Sequence, residues 1–147
     1  MATKDQAPGL DSFTRRYLYL LGGVVLVAVL WWLSSGDSRV DELNELLRAD
    51  TALADYPYTF RVLSLNNGVA SMSSPRSAQL SAVQGLRAMY PELREVGVQS
   101  DEMMVAQQRL GRVQSRAAQL VSGQADVKRV RWVLDERWLA THGIYVQ

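Results

Sequence analysis

Few residues in this chain are equipped for chemistry. There is one histidine, His142, and no cysteine, which excludes thiolate nucleophiles, disulfides and a lipid-bearing cysteine. His142 could act as a general base and Ser73-Ser74 could supply a hydroxyl. Such a pair works only when a third group orients the base, and no base lies near Ser73-Ser74 in sequence, although folding could bring His142 close. Asp135 and Glu136 are neighbours whose side chains would leave opposite faces of a strand. No carboxylate cluster has metal-ligand spacing, and no glycine-rich phosphate loop is present. The expectation is a protein that is not an enzyme, with no cofactor.

Two other groups of residues could bind rather than react. Arg109, Arg112 and Arg116 recur at helical spacing and form a basic line. Their stems could cover apolar neighbours, or their guanidinium groups could meet lipid phosphates or an acidic partner. Trp132 and Trp138 each carry a large apolar area, which places them in a core or, if exposed, on a docking surface. These five residues are the candidate interaction surface.

The element that would position all of them is an anchor. Tyr17 to Leu33 (YLYLLGGVVLVAVLWWL) has no charge and no proline. As a helix it would span roughly 25 Å, close to the lower limit for a hydrocarbon core about 30 Å thick. Tyr17, Tyr19, Trp31 and Trp32 would lie at the two headgroup layers, and Gly22-Gly23 would allow another helix to approach closely. A cleaved secretory signal is the competing reading. It requires small residues at the cleavage site, whereas this run ends in Trp31-Trp32-Leu33.

Arg15 and Arg16 abut the start of the run, so residues 1–16 are expected to be a cytoplasmic tail. The domain that follows is then periplasmic, on a single-pass protein of a bacterial inner membrane. Of 16 basic and 15 acidic residues, Lys4, Arg15, Arg16 and Arg39 and Asp5, Asp11 and Asp37 lie within the first 39 positions. The remainder is neutral, which argues against nucleic acid as a partner.

Residues 34–39 read as a linker, with Ser38 able to cap a helix from Val40 whose stripe is Val40, Leu43, Leu46, Leu47 and Leu53. Tyr58 to Leu65, then Asn66-Asn67-Gly68, then Val69 to Ser74 is a hairpin signal, because Asn and Gly tolerate the positive φ of a tight turn. Ser77 to Tyr90 returns to helical spacing, and Leu93 to Gln99 alternates as a short strand.

This order over residues 40–99 resembles a BON domain, a small bacterial envelope module. The supporting residues are Leu43 to Asp50, Phe60 to Leu65, Asn67-Gly68-Val69 and Glu95-Val96-Gly97-Val98. A glycine common in that family near Ser73 or Ser74 is missing here. The resemblance implies a non-catalytic module associated with phospholipid surfaces or envelope proteins, and no residue role transfers with it.

Asp101 to Ser122 should be a long helix whose seam is Met103, Ala106, Leu110, Val113, Ala117 and Leu120, with Gly123 as its C-terminal cap. Val127 to Val146 reads as a second hairpin closed near Asp135-Glu136, with Trp138 pairing across the turn. Helix-then-hairpin would thus occur twice, at residues 40–74 and 101–146, an internal repeat in which residues 100–147 are the helix-hairpin part of the domain.

The expected fold class is α+β: one transmembrane helix, then helices covering one face of an antiparallel sheet. The expected function is an accessory subunit of a larger integral-membrane complex. The alternative is a BON-like module on anionic phospholipid, and an uncharacterised periplasmic enzyme stands third.

Overall fold

An uncharged run without proline leaves nothing to interrupt i to i−4 backbone bonding. In a computed structural model, which describes residues 12–78 and 80–146 apart from the side chains at 34–37, this run lies within a single helix, α1 (Ser12–Ala49). Most of the expected tail, residues 1–11, lies outside the described residues. The chain divides into a unit ending at Gly36 and a unit beginning at Asp37.

In the first unit every described side chain from Ser12 to Leu33 is exposed. This helix is long and apolar enough to cross a membrane. The expected linker is a correction: residues 34–39 are helical, and Ser38 is an interior residue of α1 rather than a cap. Gly36 costs about 1 kcal/mol against alanine within a helix, but the turns on either side are already formed, so no new nucleus is needed.

The second unit is an α+β fold. The last turns of α1 bury Leu43 and Leu47. Asp50 then caps the short helix α2 (Thr51–Ala54) through Oδ1, which accepts from the Leu53 N–H. From Tyr56 to Val62 burial alternates residue by residue, with Tyr56, Tyr58, Phe60 and Val62 inside. That two-residue period is the mark of an extended chain with one covered face.

Strands β1 (Val62–Asn66) and β2 (Val69–Ser74) form the expected antiparallel hairpin, with a bulge between Val62 and Ser64. Asn67 and Gly68 take φ of 51° and 78°, the mirror-image turn that matches strand twist. Helix α3 (Ala82–Met89) and a 3-10 turn (Pro91–Leu93) follow, then helix α4 (Asp101–Ser122), strand β3 (Arg129–Leu134) and helix α5 (Glu136–Thr141).

Helix α4 has the expected bounds. Ser100 caps its start by accepting from the Met103 N–H, and Gly123 ends it. Met103, Leu110, Val113 and Ala117 of its seam are buried, joined by Gln114 and Val121, while Ala106 and Leu120 are half-buried.

Four expectations fail. Leu93 ends the 3-10 turn, and residues 94–99 follow as bends and a turn, not a strand. Pro91 supplies no N–H, and its fixed φ suits the first position of a helical turn. Val127 to Val146 is not a hairpin, because Asp135 accepts from the Trp138 N–H and so starts α5 where a strand turn was expected. The sheet is therefore mixed: β3 pairs in parallel with β2, from Val69↔Arg129 to Ser74↔Leu134. The internal repeat falls with the second hairpin.

With β1 on one side and β3 on the other, β2 is central, and five of its six residues are buried. By register Val62, Met72 and Trp132 share a face, as do Leu65, Ala70 and Val130. These residues join Leu110, Val113 and Ala117 of α4 in one core. Such a parallel connection requires a crossover, which α3 and α4 provide.

Candidate functional site

The five residues expected to anchor the chain, Tyr17, Gly22, Gly23, Trp31 and Trp32, lie on the exposed part of α1. A Cβ added at Gly22 or Gly23 would meet nothing within 4 Å. The glycine pair is thus an open notch on an apolar helix.

The basic line is largely used within the fold. Arg116 donates from Nε and Nη2 to Oδ2 of Asp50 at 3.0 and 2.8 Å. This contact holds the Asp50 carboxyl below its ordinary pKa. The Arg109 guanidinium lies 5.6 Å from the centre of the Tyr56 ring, a cation–π contact. Arg112 borders a shallow depression with Gly111 and Gln119.

Neither tryptophan is a free platform. Trp132 meets Phe60 edge-on at 5.9 Å, and Trp138 meets Tyr58 edge-on at 5.1 Å. The expectation that Trp138 pairs across a strand turn is corrected by its place in α5.

The residues considered for chemistry are not assembled. Ser73 is fully buried, and its Oγ accepts from the Arg61 N–H. Ser74 Oγ donates to the Arg76 carbonyl. His142 is exposed, with its ring 4.2 Å from that of Trp138 and Nδ1 2.8 Å from the Trp138 carbonyl. Among the described residues no hydrogen bond joins His142 to either serine, and no group of three or more His, Cys, Asp or Glu is placed to hold a metal.

Asp135 is a junction where the sequence predicts a strand turn. It is 8% exposed. One oxygen caps α5, and the other accepts from the Tyr58 hydroxyl at 3.1 Å and from Arg61 Nη2 at 3.0 Å. Burial, with the Asp135 charge as a further contributor, pushes the Tyr58 hydroxyl well above the usual tyrosine range. A carboxylate tied to three donors positions the groups around it.

The feature best suited to binding is a groove of about 590 Å³ between the Tyr90–Val96 segment and the first half of α4. Leu93, Val96, Val105 and Ala106 supply apolar lining, and Glu92, Asp101 and Glu102 supply carboxylates opposite the single basic residue Arg109. Val98, Met104 and Val105 are each about half exposed or more. Apolar side chains rimmed by charge on a surface mark a contact site.

Near the groove, the hydroxyls of Tyr56 and Tyr90 are buried without a good hydrogen bond among the described residues. Burial, reinforced by the nearby Tyr90, pushes the Tyr56 hydroxyl far above its ordinary pKa. One signal for this groove is present in the sequence: Val105 extends apolar character beyond the buried seam, where a solvent-facing helix would carry a polar residue.

Compared with known protein families, curated proteins and solved structures, the chain gives no match. The fold and its surfaces define only a class: a mixed three-stranded α+β unit following a helix of membrane-spanning length.

Proposed function

We propose that the protein is a non-enzymatic, single-pass accessory subunit of a larger membrane complex. Its Tyr17–Leu33 segment spans a bacterial inner membrane, and Gly22-Gly23 admits a partner helix. Arg15 and Arg16 hold the N-terminus in the cytoplasm, and the unit from Asp37 stands in the periplasm. The groove beside α4 receives an extramembrane segment of the partner, one with apolar side chains for Val96 and Val105 and basic flanks for Glu92, Asp101 and Glu102.

The observations that carry this reading are the exposed apolar stretch of α1 from Tyr17 to Leu33 and, in the unit from Asp37, a charge-rimmed apolar groove. Purification from native membranes in mild detergent tests it. The protein should migrate with a larger assembly, and Val105→Glu should release it while leaving its thermal unfolding within a few degrees of the parent. Migration alone in every detergent tried would sink the proposal.

A BON-like module on anionic phospholipid is the second reading, favoured by the exposed Arg112. The contacts of Arg116 with Asp50 and Arg109 with Tyr56 reduce the charge available for phosphate. Sedimentation of the Asp37–Gln147 unit with phosphatidylglycerol vesicles separates the readings. Binding that disappears on Arg112→Gln supports the lipid module.

A further inference from the structure

We propose that the outer edge of β3 is a strand-addition site for an extended acidic segment of another protein. The surface is separate from the groove, and the inference does not depend on a membrane location.

The two edges of the sheet differ. On β1, Val62 points its backbone polar groups away from β2, and Asn44 of α1 meets both. Its Oδ1 accepts from the Val62 N–H at 2.8 Å, and its Nδ2 donates to the Val62 carbonyl at 3.0 Å. The amide side chain thus does for that residue what a neighbouring strand would do.

No such cover exists on β3 among the described residues. The Arg129 N–H donates to the Gly68 carbonyl and the Asp135 N–H to that of Ser74. In a parallel ladder the bonds recur every second residue. Arg129, Arg131 and Val133 therefore face β2 with their backbone groups, and Val130, Trp132 and Leu134 direct theirs outward. Three successive outward N–H and C=O pairs form a template for another strand.

The side chains along this edge select the occupant. Arg129 and Arg131 are exposed and, being two apart in a strand, lie on one face. Arg131 also donates to Ser71 Oγ at 2.9 Å, which fixes the direction of its guanidinium. Val130, Trp132 and Leu134 are half-buried on the opposite face. An added strand would complement both faces if carboxylates alternated with apolar residues, since opposite charges across strands stabilise and like charges repel. A second copy of this chain would instead gather four arginines on one face of the joint sheet.

The test uses the full chain in detergent micelles and an eight-residue peptide alternating Glu and Val. Amide hydrogen exchange at Val130, Trp132 and Leu134 should slow at least tenfold with this peptide and not with one alternating Lys and Val. N-methylation at either the Glu or the Val amides should abolish the effect in one case only, the affected set reporting the strand direction. Arg129→Gln with Arg131→Gln should weaken binding. If that variant fails to fold, the Glu–Val against Lys–Val comparison on the parent chain still decides. Unslowed exchange, equal binding of the Lys–Val peptide, or equal tolerance of both N-methylations would overturn the proposal. So would slowing that grows with protein concentration in the absence of peptide, which would assign the edge to a second copy.

Discussion

Two carboxylates with different roles show how single residues hold this fold. Asp135 serves three donors at once, so its removal takes a helix cap and deprives the buried Tyr58 hydroxyl of its carboxylate acceptor. A cap contributes about 1 kcal/mol and a hydrogen bond to a charged group about 1.5–3 kcal/mol, so Asp135→Ala should cost roughly 2–4 kcal/mol by denaturant unfolding. Asp50 works through Arg116. Because that contact depresses the folded-state pKa, its stabilisation is complete above the unfolded value near 3.9 and is lost as pH falls through the lower, folded value. Arg116→Gln should therefore flatten the loss of stability on acidification below about pH 4, a comparison read from melting temperatures across that range. An unchanged acid profile would remove the pair from the account. Its contribution at neutral pH should be small, since Arg116 is about half exposed.

Among the elements, packing against α3 offers a sharp case. A Cβ built on Gly85 would sit 2.5 Å from the Pro75 carbonyl oxygen, a backbone atom with little room to move. Gly85→Ala should destabilise by about 1–3 kcal/mol although alanine is the better helix former, because overpacking outweighs propensity here. Equal or higher stability of the variant would show that Pro75 yields. The elements legible in the sequence were those written locally. Asn67-Gly68 specifies its hairpin through φ alone, and α4 declares itself through a long seam closed by Gly123. The choice of partner for β3 was not legible, because RVRWVL suits a parallel or an antiparallel neighbour and only the crossover through α3 and α4 decides between them. Asp135 was open to misreading for a related reason: the same residue type begins a turn or caps a helix, and the bond to the Trp138 N–H is visible only after folding. The groove was missed because Leu93 to Gln99 alternates like a strand over too short a run to exclude a turn.

For the molecule as a whole, the proposed arrangement is an apolar helix retained in the bilayer with the unit from Asp37 on the outer side. The exposed run from Tyr17 to Leu33 supports retention, since apolar surface left in water costs about 25 cal/mol per Å². The side on which the unit lies rests on Arg15 and Arg16. The chain contains no cysteine, so one introduced at the exposed Ala125 gives a unique reporter. In spheroplasts of a bacterium expressing the full-length Ala125→Cys variant, a membrane-impermeant maleimide should label the protein without lysis. The labelled chain should remain in the membrane pellet after alkaline carbonate extraction. Labelling only after lysis, or release of the chain into the carbonate supernatant, would contradict the account.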